Sequence, residues 1–208
     1  MSSFKEIAEN ATIQSFLNCY LRETGIKTRE FADGSQKTLI VPLKRQQIEL
    51  IVPIKYWSKT GRHLFSFPLY YQTTQNEKPL PLDYVTLVSL ASKELLLQQN
   101  RGGAEDEFML RVILSCRNIS RYVEERAGDQ NELSRADFTF IEAEQSLLLG
   151  HLMHPTPKSR QGMKPEEENI FSPELKGEFQ LHYFKAHASL VLHLSLIHIS
   201  EPTRQAEI

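Results

Sequence analysis

The feature of this sequence that most limits its fold is a set of three runs rich in β-branched and aromatic residues. The runs are residues 38–43, 47–57 and 63–72. Residues of these types favour strands, and the short polar or glycine-containing breaks between the runs are typical of antiparallel neighbours. Pro42, Pro53 and Pro68 lie inside the runs, so some strands are expected at a sheet edge or with a bulge. The runs predict an antiparallel meander.

Helical periodicity is found on both sides of these runs. Residues 4–24 carry apolar positions at close to helical spacing, and Gly25 supplies a stop. Asp83 is the predicted N-cap of a second helix that ends near residue 99, and residues 105–126 form the next. A further helix is expected to start near residues 134–137 and to end at Gly150.

The predicted fold class is therefore α+β, with an N-terminal helix, an antiparallel sheet meander, a helical segment, then a loop and a strand. The helix and sheet occupy residues 1–80, and the later helices and the loop occupy residues 81–193. Residues 164–169 are predicted to be a charged surface turn, and Ser172 and Pro173 are expected to begin a short helix. Residues 179–187 alternate as in a strand.

Composition narrows the class of protein. A chain of 208 residues with 40% hydrophobic content can form a real core, and a net charge of -2 gives no general footprint for nucleic acid. Cys19 and Cys116 are far apart and belong to no metal or disulfide motif, which favours a reducing compartment. With neither a signal peptide nor a long apolar stretch in the sequence, the cytoplasm is the expected location and no membrane partner is expected.

Residues 150–162, called the motif loop below, carry the densest chemistry in the chain. They read Gly-His-Leu-Met-His-Pro-Thr-Pro-Lys-Ser-Arg-Gln-Gly. Because proline disfavours helical geometry in the residue before it, residues 154 and 156 are expected to be extended. A period of two then places His154, Thr156, Lys158 and Arg160 on one side, whereas a polyproline-like period of three groups His151, His154 and Arg160. Both arrangements suit phosphate or carboxylate groups.

Other interpretations of single residues were weighed against this one. His151 and His154 are spaced as a metal pair can be, but no acidic residue or cysteine at ligand spacing completes a site, so no metal site is predicted. Trp57 and the aromatic residues of 65–71 suit base stacking, although sheet core is the better explanation. Glu144 and Gln145 are expected to support the junction between helix and loop.

Two segments of the sequence carry a resemblance to a known family. The motif loop, preceded by Glu-Gln-Ser-Leu-Leu-Leu, matches the pattern Gly-His-Pro-x-His-Pro-x-x-Lys-x-Arg-x-Gly except at Leu152, where the family has proline. Residues 171–175 and 179–184, which read Phe-Ser-Pro-Glu-Leu and Phe-Gln-Leu-His-Tyr-Phe, fit the same family. From about residue 142 to 187 the chain resembles the siderophore synthetases that act independently of non-ribosomal peptide synthetases, typified by aerobactin synthetase.

The resemblance implies an ATP-dependent ligase that adenylates citrate or a related acid and joins it to an amine or hydroxyl of a siderophore precursor. ATP and Mg2+ are the implied cofactors, and a homodimer of the full-length protein is an implied partner. No catalytic residue is assigned. The implied nucleotide-binding residues are His151, His154, Thr156, Lys158, Ser159, Arg160 and His182.

The C-terminal segment, residues 194–208, begins Leu-Ser-Leu-Ile-His-Ile-Ser-Glu-Pro-Thr-Arg and resembles translated sequencing adapter. We expect it to be non-native. The chain is then expected to be the N-terminal part of a larger synthetase, inactive on its own, because family members continue through a further Ser/Arg/Thr segment and a helical region. The alternative is a non-catalytic anion-binding or interaction module that is complete in itself, and the longer gene distinguishes the two.

Overall fold

The computed structural model describes residues 3–33, 36–73, 78–99, 105–129, 131–132 and 135–191. Its first element, helix α1, spans Phe4–Thr24. The Ser3 side chain accepts a hydrogen bond from the Glu6 N–H, and Gly25 adopts φ of +56°, the left-handed geometry in which glycine commonly ends helices. Both ends of the predicted N-terminal helix are confirmed.

A six-stranded antiparallel sheet follows α1. The strands are β1 (Arg29–Asp33), β2 (Gln36–Leu43), β3 (Ile48–Tyr56), β4 (Leu64–Phe65), β5 (Leu69–Thr73) and β6 (Leu80–Leu82). They are arranged in the order β1-β2-β3-β5-β6, and β4 pairs with the C-terminal end of β3. The predicted meander is confirmed. The run 63–72 is two strands instead of one, and the register between β3 and β4 shifts between Ile54 and Tyr56.

The core lies between one face of this sheet and helices α1 to α3. Helix α2 spans Tyr84–Gln99 and α3 spans Glu105–Glu125, as predicted. Asp83 caps α2 by accepting hydrogen bonds from the backbone and hydroxyl of Thr86. Alternate residues of β2 and β3 are buried against the helices, as the period of two requires. In the described part of the chain, no helix has the length and hydrophobicity needed to cross a membrane.

The structure corrects two predictions that border the motif loop. The helix expected to end at Gly150 is α4, which spans only Phe140–Gln145; a capping box of Thr139 and Glu142 fixes its start. The predicted surface turn at 164–169 is instead helix α5, Pro165–Phe171. Proline at its first position and acidic residues in its first turn both favour a helix N-terminus. A short 3-10 helix, Pro173–Leu175, follows with Ser172 at the predicted cap position but without a side-chain cap bond.

Residues 179–208 form a compact unit separate from residues 1–178. In its described part, residues 179–187 have no strand, so that prediction is wrong. Alternation indicates a strand only where one face is buried, and here Leu181 is 64% exposed and Phe184 is 93% exposed. The segment predicted to be non-native lies outside the described residues. The α+β class and the order of the other elements are confirmed.

Candidate anion-binding site

The motif loop consists of turns instead of the continuous extended strand that a period of two assumed. The His154 N–H donates to the His151 carbonyl, and the Ser159 N–H donates to the Thr156 carbonyl. Proline has no N–H with which to continue a strand ladder, and the loop contains two prolines. The turns nevertheless bring Lys158 and Arg160 to the same partner.

That partner is Glu174, a fully buried carboxylate with 2% exposure on the 3-10 helix after α5. Arg160 binds it with both terminal nitrogens, Nη1 to Oε2 at 2.7 Å and Nη2 to Oε1 at 2.9 Å. The Lys158 ammonium also donates to Oε1. Two motif cations therefore share one anion, and the cluster keeps one net positive charge.

Helix α3 supplies the surface on which the motif loop is held. Ser115 Oγ accepts from the Lys158 N–H at 2.9 Å, and Asn118 Nδ2 donates to the Lys158 carbonyl at 2.9 Å. One further turn along, Tyr122 Oη accepts from Arg160 Nη1 at 2.9 Å, and its ring lies 5.7 Å from the guanidinium carbon. The three α3 residues recur at helical spacing and therefore share one face.

Arg126, one residue beyond α3, joins the two ends of the site. Its Nη1 donates to the Gln145 carbonyl at 2.8 Å and to the Glu174 carbonyl at 3.0 Å, while Nε binds Asp129. The prediction that residues 144–145 support the junction between helix and loop is confirmed for Gln145, through its backbone carbonyl.

Burial and charge compete at Glu174. Burial alone raises the pKa of this carboxyl, but the hydrogen bonds from Arg160 and Lys158 outweigh it, so the pKa lies below its ordinary value. Burial likewise lowers the pKa of Arg160, and the hydrogen bond to Glu174 reverses the effect, so the pKa of Arg160 is raised. The buried group is therefore a charged pair.

The two motif histidines have similar geometry. His151 Nδ1 accepts from the Met153 N–H, and His154 Nδ1 accepts from the Thr156 N–H, each at 3.1 Å. A neutral ring that accepts at Nδ1 carries its proton at Nε2. Both imidazoles are exposed and in this tautomer present an N–H donor at Nε2.

The predicted site residues differ in how far they are exposed to solvent. Lys158 is buried, whereas Arg160 keeps 26% of its side chain exposed and the two histidines are exposed. Thr156 and Ser159 are half-buried, and Ser159 Oγ donates to the Thr156 carbonyl. His182 is exposed and belongs to the unit of residues 179–208, so its role stays a prediction. Among the described residues, no group of three His, Cys, Asp or Glu side chains is arranged to hold a metal.

Sequence reasoning missed Glu174 and the polar face of α3. Ser115, Asn118, Tyr122 and Arg126 recur at three- and four-residue intervals. A polar stripe at that spacing is a readable signal of a helix that faces a polar partner. Glu174 had no such signal, since its only mark is its place in the Phe-Ser-Pro-Glu-Leu segment.

Solved structures share this fold. The ATP-bound aerobactin synthetase IucA of a hypervirulent Klebsiella pneumoniae pathotype superposes with a TM-score of 0.72 at 31% identity, covering 80% of this chain and 29% of that one. A second structure of that synthetase matches with the same TM-score, at 30% identity, and covers 81% of this chain and 30% of its own. Over the covered part, the fold is that of a siderophore synthetase.

Sequence comparison agrees with this similarity. Residues 139–207 match the IucA / IucC family. A spermidine-citrate ligase of Bacillus anthracis is 46% identical over 211 residues, which cover 95% of this chain and 35% of the ligase. The N(2)-citryl-N(6)-acetyl-N(6)-hydroxylysine synthase of Escherichia coli is 32% identical over 91% of this chain and 33% of its own length. The chain thus spans about a third of the curated relatives it matches. The family match includes most of residues 194–208, whose non-native origin stays a prediction.

Proposed function

We propose that this chain is part of an ATP-dependent ligase that joins a carboxylate of citrate or a related acid to an amine or alcohol in siderophore biosynthesis. The observation that supports it is the motif loop, where Arg160 is held in a bidentate ion pair and two exposed histidines accept backbone hydrogen bonds at Nδ1. Three relatives are named for citrate condensation with different amines, namely spermidine, a hydroxylysine derivative and 2,3-diaminopropanoate. Citrate is the shared substrate in those names, so the acid is the better supported half of the proposal.

The proposed reaction has two steps. A carboxylate oxygen of the acid attacks the α-phosphorus of ATP and pyrophosphate leaves. The nitrogen or oxygen of the second substrate then attacks the acyl carbon and gives up one proton to solvent, and AMP leaves with the electron pair of the broken carbon-oxygen bond. Both steps pass through anionic phosphorus or carbonyl oxygens, which fixed cations and N–H donors stabilise.

The residues would divide this work by their exposure. Arg160 keeps 26% of its side chain exposed and His151 and His154 are exposed, so these three residues would hold phosphate or carboxylate oxygens. Lys158 is buried on Glu174 and contacts a ligand only if that ion pair opens, so we assign it first to the positioning of Arg160. Thr156, Ser159 and His182 remain proposed binding residues.

Mg2+ would arrive with the nucleotide. This ion keeps several waters and binds mainly through phosphate oxygens and one or two carboxylates, so a preformed cage of protein ligands is unnecessary. We further propose that the full-length protein is cytoplasmic, forms a homodimer and binds neither nucleic acid nor membrane.

The test is pyrophosphate release by the full-length protein supplied with Mg-ATP, citrate and an amine. We expect activity in the unaltered protein and its loss in Lys158→Ala and in Arg160→Ala, with Lys164→Ala, an exposed lysine near the loop, as the control. Thermal unfolding of each variant separates loss of chemistry from loss of fold. Pyrophosphate release that is unchanged in folded Arg160→Ala protein contradicts the role of the motif loop.

A further inference from the structure

The segment between β3 and β4, residues 57–63, approaches the motif loop. A Cβ atom placed on Gly61 would lie 3.5 Å from Met153 Cε. The sulfur of Met153 lies 3.3 Å from Nη1 of Arg22 on α1. Residues from α1, from the 57–63 segment and from the motif loop therefore meet around one side chain.

Two side chains of α1 hold the backbone of the 57–63 segment by hydrogen bonds. Asn18 binds both backbone groups of His63, accepting from its N–H at 3.1 Å and donating to its carbonyl at 3.1 Å. Gln14 also donates to that carbonyl and accepts from the Phe65 N–H. Asn18 is 1% exposed, and the core therefore sets the position of the segment.

Contacts among the side chains of the segment also fix its conformation. The His63 ring is buried, accepts from the Ser58 N–H at Nδ1, and stacks on Trp57 with ring centroids 3.7 Å apart. The Ser58 and Thr60 hydroxyl oxygens lie 3.0 Å apart. A loop held in this way presents the groups at its tip with little loss of conformational freedom on binding.

The two cations of this segment, Lys59 and Arg62, are exposed, and within the described parts of the chain neither forms a salt bridge. Lys158 and Arg160, by contrast, share Glu174 and leave one net positive charge. A nucleotide and a polycarboxylate together bring more negative charge than this single excess charge and the accompanying Mg2+ balance.

We propose that Lys59 and Arg62 form a second anion-binding element, which works with the motif loop to bind a polyanionic substrate. The ligand chemistry is a cluster of anionic oxygens, supplied by the phosphate chain of the nucleotide or by the polycarboxylic acid. The identity of these ligands rests on the proposed function, whereas the element itself rests on the contact at Met153 and on the two exposed cations.

The experiment is isothermal titration of the 208-residue chain with Mg-ATP alone and with citrate alone. The variants are Lys59→Ala, Arg62→Ala and Arg160→Ala, and Lys93→Ala is the control because it removes one exposed positive charge from α2. We expect Arg62→Ala and Lys59→Ala to weaken binding of at least one ligand by about tenfold, the worth of one hydrogen bond to a charged group. The ligand that is weakened identifies the source of the anionic oxygens.

Two results would overturn the inference and leave the proposed function standing, and a third would overturn both. If Arg62→Ala and Lys59→Ala bind both ligands as the unaltered chain does, while Arg160→Ala binds them weakly, the second element is refuted and the motif loop keeps its role. If Lys93→Ala weakens binding as much as Arg62→Ala, the effect is general charge and the element is refuted. If the unaltered chain binds neither ligand, both proposals fail for this chain.

Discussion

Arg160 and Glu174 form a two-point ion pair in which each terminal nitrogen of the guanidinium meets a different carboxylate oxygen, at 2.7 and 2.9 Å. Such a pair fixes the plane of the guanidinium as well as its position. Arg160 keeps 26% of its side chain exposed and Glu174 is buried, so a carboxylate inside the protein sets the orientation of a partly exposed arginine. The ion pair therefore holds the side chain of Arg160 in one orientation.

Glu174→Gln is expected to destabilise the protein. The substitution keeps the side-chain shape but leaves Lys158 and Arg160 without their anion, and breaking a buried pair costs about 3–5 kcal/mol. The free energy of unfolding in urea measures this loss. Glu178→Gln, which alters an exposed carboxylate nearby, is the control and should stay within about 0.5 kcal/mol of the unaltered protein. Equal stability of the two variants would contradict a structural role for the pair.

The same carboxylate predicts a pH dependence. The pKa of Glu174 is depressed in the folded state, so the stability it contributes is fully present above the unfolded pKa of about 4.3 and is lost as pH falls through the lower folded value. Unfolding free energies measured between pH 6 and pH 3 should therefore fall more steeply for the unaltered protein than for Glu174→Gln. Parallel curves would show that the carboxyl titrates alike in both states.

Gly150→Ala is expected to distort the motif loop. A Cβ there would lie 2.7 Å from Pro157 Cβ and 3.0 Å from Lys158 Cε, on a backbone with φ of +75°. Gly162→Ala is the matched control, because Gly162 has φ of +83° and nothing within 4 Å of its added Cβ. Backbone strain should lower the free energy of unfolding of both variants by roughly 1–3 kcal/mol. Only Gly150→Ala should also bind Mg-ATP more weakly. Titration calorimetry with thermal unfolding separates the two, and equal ATP affinity would refute the steric argument.

His154→Asn separates the two roles of that histidine. Asparagine also accepts a hydrogen bond from the backbone two residues on, so the turn to Thr156 should persist, but the distal N–H donor is lost. We expect unchanged thermal stability and Mg-ATP binding weaker by about five- to tenfold. His187→Asn is the control, since His187 Nδ1 forms the same type of turn with the Ser189 N–H. A fall in stability without a change in affinity would assign His154 to the turn alone.

The elements that the sequence predicted well are those whose signals are local. Ser3 and Gly25 mark the ends of α1, and Asp83 marks the start of α2. Glu174 could not be predicted, because its partners lie 14 and 16 residues away and only the folded chain shows that it is buried. The strand at 179–187 failed for a related reason, since alternation says nothing about whether a surface is present to cover one face.

Arg126 binds the carbonyl of Gln145 and the carbonyl of Glu174 through one nitrogen atom. The two ends of the segment 145–174, which contains the whole motif loop, therefore meet at the Arg126 side chain. An exchange of this segment between homologues therefore has to include the α3 residues that bind it, Ser115, Asn118 and Tyr122, as well as Arg126. An insertion between α3 and Arg126 would separate the arginine from both ends of the segment at once.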